Sequence, residues 1–378
     1  MNEYNIDELL PKAVAHFHEL VVHSIRKSNK ASETGSGLFE QLAEIGENIK
    51  RIRYAIKAGK DNPIKIGLFG STNRGKSSLI NVLAGVKILP EKPIPGWTRT
   101  SIELQHSDEL SHFEIIVTED DDRFERQNFH DISEAYDHLL AFSGNSKKSN
   151  PKKINVIGPF NNSHILKSGR ILVDTPGVEK IIDGSQMSEK NDNNKNKISS
   201  DTKQALATLN STHAVIFCLR ADQLGNANDN EFYLNHLRKR LPLNVIGFRD
   251  KTPEMSNEDI EEEAKMKYHT KSKKFFVISA KNEMKKIIDD SSKSTSNGEN
   301  NLDKLTGAIN NHIKSLQNGN EISEFYIDYK KILTDAKYDI QPPRIREIEF
   351  INLLKKIAEF KEINWASTIL KYNNLDLE

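Results

Sequence analysis

Gly70-Ser71-Thr72-Asn73-Arg74-Gly75-Lys76-Ser77 decides the fold of this chain, because its spacing is that of a phosphate-binding P-loop, G-x-x-x-x-G-K-S. The flanks give the short pattern its weight. Ile64-Lys65-Ile66-Gly67-Leu68-Phe69 ahead of it reads as a strand, and Ser78-Leu79-Ile80-Asn81-Val82-Leu83-Ala84 behind it reads as a helix. Gly70 and Gly75 allow the backbone to turn its N–H groups onto phosphate oxygens. Lys76 is expected to place its ammonium between the β- and γ-phosphates, and Ser77 to give its hydroxyl to Mg²⁺.

A second motif, Asp174-Thr175-Pro176-Gly177, closes the apolar run Arg170-Ile171-Leu172-Val173. A strand ending in Asp sets a carboxylate beside the P-loop, where it can hold Mg²⁺ through water. The Gly177 N–H can meet the γ-phosphate, so this loop is expected to sense whether that phosphate is present. Between the two motifs, Leu89 to Thr100 occupies the place of a first switch loop, which needs a Thr to close over Mg²⁺. Thr98 is the first choice and Thr100 the reserve. Trp97 in the same loop has two readings, packing on its own domain or contact with a partner.

Base recognition is expected after the strand Asn244-Val245-Ile246, which leads into Gly247-Phe248-Arg249-Asp250. A carboxylate that accepts from guanine N1 and N2 distinguishes guanine from adenine. Asp250 could be that carboxylate or a solvated turn residue. The Lys that usually accompanies such an Asp is absent. A later strand, Phe275-Phe276-Val277-Ile278, ends in Ser279-Ala280-Lys281, which suits a loop that covers the base.

The nucleotide-binding set is therefore Gly70, Asn73, Arg74, Gly75, Lys76, Ser77 and Ser78, with Asp174, Arg249, Asp250, Ser279, Ala280 and Lys281. The expected catalytic set is Lys76, Ser77, Thr98 and Gly177, and the expected Mg²⁺ set is Ser77, Thr98 and Asp174.

Around this centre the chain divides into three. Residues 1–60 read as helices, with apolar positions at Val14, Phe17, Val21 and Ile25, then at Leu38, Leu42, Ile45, Ile49, Ile52 and Ile56. The polar segment Ser28 to Gly37 separates them as a turn or linker. Residues 61–318 alternate strand and helix signals, as a mostly parallel α/β sheet does. Residues 319–378 return to helices. One carries Phe325, Tyr329, Ile332 and Ala336, and after Pro342-Pro343 a last helix carries Ile348, Ile351, Leu354 and Ile357. Each end has an apolar stripe that it cannot bury alone, so the two ends are expected to pack together. Gly184–Thr202, Asn145–Lys153 and Asp289–Asn301 are too polar to offset their ordering entropy.

Composition bounds the partners. Lys+Arg and Asp+Glu are both 54, so nothing global attracts nucleic acid or an anionic surface. Cys218 is the single cysteine and excludes an intramolecular disulfide. No signal-like segment or membrane-length apolar run is present, and a cytoplasmic location is expected. His16, His18 and His23 do not share one helix face, which argues against a metal site. The acidic run Glu119 to Asp122 reads as a solvated loop.

Over about residues 62–318 the chain resembles the dynamin-like large GTPases. The resemblance rests on Gly70–Ser78, on Ile88-Leu89-Pro90 leading to Pro95 and Thr98, and on Ile154-Asn155-Val156-Ile157-Gly158-Pro159 ahead of Asp174–Gly177. It rests also on Ala221-Asp222-Gln223 after the strand Val215-Ile216-Phe217-Cys218-Leu219, followed by Glu231-Phe232 and Leu237. It implies GTP as substrate and Mg²⁺ as cofactor. Water would be positioned by backbone and by a cation in the P-loop. GTPase-domain pairing would stimulate turnover, and the flanking helices would form a bundle that swings during the cycle. It also implies a homodimer through the GTPase face; coupling to membrane or to partner remodelling, with a peripheral place at a membrane, stays open and has no support in the sequence. The chain departs from the family in reading as too short for the long helical stalk, and no lipid-binding module is recognisable. Its Arg249-Asp250 pair is closer to guanylate-binding proteins and atlastins. Arg74 lies one position after the catalytic Arg of guanylate-binding proteins and reads either as a finger or as a salt-bridged residue. Two rivals remain open: a monomeric regulatory GTPase, like the ribosome-assembly GTPases that share Gly75-Lys76-Ser77-Ser78-Leu79-Ile80-Asn81, and a non-catalytic nucleotide-binding scaffold.

Overall fold

The computed structural model describes residues 5–30, 36–58, 62–91, 100–119, 122–143, 151–178, 200–240, 242–247, 256–268, 275–289, 301–335, 340–360 and 363–375. The expected switch loop with Trp97 and Thr98, the base-reading Arg249 and Asp250, Ala336, and most of the polar stretches named above lie outside them.

The chain forms two compact units, residues 63–309 and residues 1–62 with 310–378. The first is α/β. It contains strands β1 (Lys65–Phe69), β2 (Ile102–His106), β3 (Phe113–Thr118), β4 (Phe124–Phe129) and β5 (Lys153–Gly158). Strands β6 (Ile171–Asp174), β7 (Ala214–Arg220), β8 (Leu243–Gly247) and β9 (Phe275–Ile278) follow. Nine strands lie in one sheet, in the order β4-β3-β5-β2-β6-β1-β7-β8-β9. The half that carries the P-loop is parallel: β1 pairs with β6 and β7, and β8 with β7 and β9. Antiparallel pairing enters at β2–β6 and along the β5-β3-β4 side. Ile66, Leu68 and Phe69 on the central strand are fully buried, as expected for a strand covered on both faces.

The helices in chain order are α1 (Ile6–Lys30), α2 (Ser36–Ile56), α3 (Lys76–Ala84), α4 (Ile132–Ser143), α5 (His164–Lys167), α6 (Ser200–Ser211) and α7 (Ala227–Phe232). They continue with α8 (Asn257–Tyr268), α9 (Ala280–Asp289), α10 (Asn301–Gln317), α11 (Ile322–Asp335), α12 (Arg344–Ile357) and α13 (Asn364–Tyr372). Between α7 and β8 the chain makes a π-helical turn, Tyr233–Leu237. Among the described residues no helix is long and apolar enough to cross a membrane.

In the helical unit, Phe17 of α1 is fully buried among Tyr326 and Tyr329 of α11 and Phe350 of α12, with ring centroids 5.5, 5.7 and 5.6 Å away. Leu42, Ile45, Ile49 and Ile52 of α2 are buried as one stripe. The unit also buries an ion pair, Arg51 Nη2 to Glu321 Oε2 at 2.6 Å. The Ser24 hydroxyl donates to the Ile340 carbonyl at 2.8 Å and meets the Tyr329 hydroxyl at 2.9 Å.

Three sequence expectations are corrected here. Two helices, α12 and α13, follow Pro342-Pro343 instead of one. The last α12-type bond runs from Ala358 N–H to the Leu354 carbonyl, and the chain turns before Trp365 is buried on α13. The buried face of α12 is Phe350, Leu354 and Ile357, while Ile348 is 50% exposed, because the larger ring of Phe350 takes the place against Phe17. On α11, Tyr326 and Leu333 are buried beside Phe325 and Tyr329, with Ile332 only partly covered. The Asn318–Asn320 turn joins α10 to α11.

Candidate nucleotide site

The P-loop leaves the end of β1 in a conformation that excludes a side chain at its first glycine. Gly70 has φ +145°, and a Cβ there would overlap the Cys218 carbonyl oxygen on neighbouring β7. The loop closes on Gly75, which caps α3 with no side-chain hydrogen bond, so the first amides of α3 are left for an acceptor. Asn73, at φ +62°, takes the left-handed conformation that Asn tolerates better than most residues.

Lys76 is buried. Its ammonium donates to the carbonyls of Gly70 and Ser71 at 3.0 and 3.1 Å, which aims it along the inside of the loop. Burial lowers its pKa, against the raising influence of Asp174, Cys218 and Asp229. Ser77 and Asp174 come from different elements and meet: the hydroxyl donates to Asp174 Oδ2 at 2.6 Å. Asp174 is 1% exposed, and burial raises its carboxyl pKa against the lowering effects of the Ser77 hydrogen bond and the Lys76 charge. Its other oxygen, Oδ1, is sealed from solvent with no hydrogen-bond partner. A buried carboxylate oxygen left unsatisfied beside a Ser hydroxyl fits a hard divalent cation with its water.

The loop after β6 lies on the P-loop. Val178 N–H donates to the Gly70 carbonyl at 3.3 Å, and Val178 bridges to Ser71 as a one-residue parallel ladder. Gly177 packs so close to Thr72 that a Cβ there would stand 2.8 Å from both Thr72 Cα and Thr72 N. The Thr175 hydroxyl donates to the Leu68 carbonyl at 2.5 Å and fixes the turn to β1.

A cavity of about 640 Å³ opens beside the loop. Asn73, Arg74, Gly75 and Ser78 line one side, and Gly247, Ile278, Ala280 and Lys281 line the other, at the carboxyl ends of β8 and β9. This is where open α/β sheets take ligands. Ser279 is not part of that lining; it caps α9, its hydroxyl accepting from Asn282 N–H at 3.4 Å. Gly247 ends β8 at the cavity wall and leads to Phe248, Arg249 and Asp250, beyond the described residues. Cys218 also touches the cavity, but burial pushes its thiol up to about 12, so it is not a nucleophile at neutral pH.

Two expected residues have other employment. Thr100, the reserve for the switch Thr, is buried and its hydroxyl donates to the Pro151 carbonyl at 2.6 Å. Arg74 is 4% exposed and paired with Asp229. Sequence reasoning missed Asp229 altogether, and it missed Asn81. Fully buried Asn81 accepts from the N–H groups of Ile88 and Leu89 and donates to the Leu89 carbonyl and to Glu91, fixing the chain from Ile88 to Glu91 against α3. A polar residue at an apolar position of α3 was the available signal for Asn81.

A P-loop closing strand β1, an Asp ending strand β6 and a ligand cavity at the strand ends define a nucleotide-binding α/β domain. Residues 66–247, just under half of the chain, match the model of the Dynamin family. GTPase Der of Teredinibacter turnerae is 30% identical over 109 residues, which cover 28% of this chain and 22% of that one. The tRNA modification GTPase MnmE of an Acidovorax species is 28% identical over 137 residues, covering 35% of this chain and 27% of that one. Among solved structures, an oligomerised bacterial dynamin pair is similar over 99% of this chain and 52% of that chain, at 17% identity and a TM-score of 0.45. The chain thus spans about half the length of that structure and a smaller part of the two curated relatives.

Proposed function

We propose that the chain binds GTP and hydrolyses it at this P-loop. The observation that carries the reading is the Ser77–Asp174 contact, with the unsatisfied Asp174 oxygen beside it. Lys76 and the amides at the start of α3 hold the β- and γ-phosphates and stabilise the charge that develops on them. Ser77, Thr98 and a water held by Asp174 would hold Mg²⁺, which would neutralise charge on the phosphates. The Gly177 amide meets the γ-phosphate. Asp250 reads guanine, and the segment from Ser279 to Lys281 borders the base. The described side chains around the Ser77–Asp174 contact include no convincing general base, so backbone groups would position the attacking water.

The same reading assigns turnover to pairs of chains that face each other across the nucleotide, at the cytoplasmic surface of a membrane. GTP turnover per chain, measured against protein concentration with and without liposomes, tests it. A rate per chain that climbs with concentration supports pairing, and further stimulation by liposomes supports the membrane. A flat rate identifies a monomeric regulatory GTPase. Tight binding without hydrolysis at high concentration identifies a scaffold.

A further inference from the structure

Asp229 stands in the first turn of α7, outside both nucleotide motifs, and is 1% exposed. Both oxygens of its carboxylate are spent on the P-loop. Oδ1 accepts from the Ser71 N–H at 3.1 Å and from the Ser71 hydroxyl at 2.6 Å. Oδ2 accepts from Arg74 Nε at 2.7 Å and forms an ion pair with Nη2, also at 2.7 Å. Arg74 Nη1 donates to Gln223 Oε1, so the guanidinium is held by two residues of the segment that follows β7. Phe232, one turn after Asp229, stacks on Phe69 at the end of β1, with ring centroids 6.4 Å apart, which seats α7 beside the loop that β1 feeds.

Ser71 is where these contacts converge. Its N–H and hydroxyl go to Asp229, its carbonyl receives the Lys76 ammonium, and its backbone bridges to Val178 in the loop after β6. One carboxylate thereby fixes the two residues, Ser71 and Arg74, between which the P-loop turns. A loop held this way needs no ordering when the ligand arrives, so binding energy is not consumed in shaping it. Breaking the Arg74–Asp229 pair would leave two buried charges without an ionic partner, which is strongly unfavourable.

We infer that Asp229 is a positioning residue of the nucleotide site, setting the P-loop for phosphate through Ser71 and Arg74, and that Arg74 is a strut of that clamp and not a group that reaches the γ-phosphate. The inference deepens the proposed GTPase reading and rests on it for its ligand.

The test uses the full-length chain and three variants, with GDP as the probe. Asp229→Asn strands the Arg74 charge and is expected to lower both the melting midpoint and GDP affinity. Arg74→Met/Asp229→Asn removes the stranded charge and keeps an acceptor for Ser71, and its midpoint is expected to recover. Arg74→Met/Asp229→Leu removes that acceptor too. At a similar midpoint it is expected to bind GDP at least tenfold more weakly than Arg74→Met/Asp229→Asn, and to exchange the amides of residues 71–75 faster in the nucleotide-free chain. Equal GDP affinity and equal exchange in the two double variants would overturn the inference, as would affinity that merely follows the midpoint through the series. Amide exchange without nucleotide separates the two claims: slow exchange in wild type that is lost in Arg74→Met/Asp229→Leu upholds the clamp even if the wild-type chain fails to hydrolyse GTP.

Discussion

The Ser77 hydroxyl donates to Asp174 Oδ2 at 2.6 Å, joining the start of α3 to the end of β6 across 97 positions of sequence. Neither residue leaves its own element to make the contact. The parallel β1–β6 register sets Leu68 opposite Asp174, and the P-loop then carries the chain from Phe69 to Ser77. The sheet thus brings together two loops that each lie at a carboxyl strand end, where the account places the cation.

Ser77→Ala removes the hydroxyl and leaves Asp174 with a second buried oxygen unsatisfied. The Mg²⁺ concentration for half-maximal turnover is expected to rise about tenfold or more. A magnesium titration of GTP turnover at fixed protein concentration checks this, and an unchanged midpoint would remove Ser77 from the cation site.

Gly177→Ala places a methyl group against Thr72, whose Cα stands 2.8 Å from that Cβ position. The loop after β6 must then move off the P-loop, and the Gly177 amide moves with it. Affinity for a non-hydrolysable GTP analogue is expected to fall roughly tenfold or more relative to GDP, the worth of one hydrogen bond to a charged group. Calorimetric titration with both nucleotides reads the ratio.

The placement of the P-loop and of the strand-ending Asp174 was legible because both signals are local. Gly70, Gly75, Lys76 and Ser77 sit within one loop, and Asp174 is marked by the strand it ends. Asp229 was not legible, because its value depends on α7 folding back beside β1, and an Asp in a helix's first turn is common for reasons of the helix dipole alone. The face of α12 was misread for a related reason. Ile345 and Ile348 offer one apolar face and Phe350, Leu354 and Ile357 another, and only the position of Phe17 decides between them. Strands β2, β3 and β4 carry mixed polar sequence toward the sheet's antiparallel side, and β4 is mostly exposed, so the alternation that betrays a strand is weak there.

Phe17→Ala tests the packing of the helical unit. The ring is fully buried and meets three others, so its loss is expected to cost about 3–5 kcal/mol in that unit. Urea unfolding followed by circular dichroism should show an earlier transition, while GDP affinity of the α/β unit stays close to wild type. A cost below about 1 kcal/mol would contradict the packing described.

His312 gives the helical unit an acid-sensitive stability. The residue is partly covered, but its Nε2 is sealed and has no hydrogen-bond partner. Burial, reinforced by the Arg51 charge, lowers its pKa from 6.5 to about 4. The folded chain therefore binds this proton less readily than the unfolded chain. Its contribution is fully present above pH 6.5 and is lost as pH falls toward 4, by up to about 3 kcal/mol. Glu321 acts in the opposite sense: burial raises its carboxyl above 4.5 against the lowering effect of Arg51, so it gains stability as pH falls. Unfolding midpoints across this window should drop in wild type and drop less in His312→Leu. The same slope in both would exclude His312 as the group responsible.

Phosphate release from GTP and from ATP by the purified full-length chain with Mg²⁺, beside Lys76→Ala, tests the central claim most directly. Lys76 is buried within the loop and donates to the Gly70 and Ser71 carbonyls, and the account makes its ammonium the charge that meets the phosphates. The account predicts release from GTP and little from ATP, with Lys76→Ala lower by about 100-fold or more, the scale set by removing one preorganised donor. Equal rates in wild type and Lys76→Ala, or no release from GTP at any protein concentration, would contradict it.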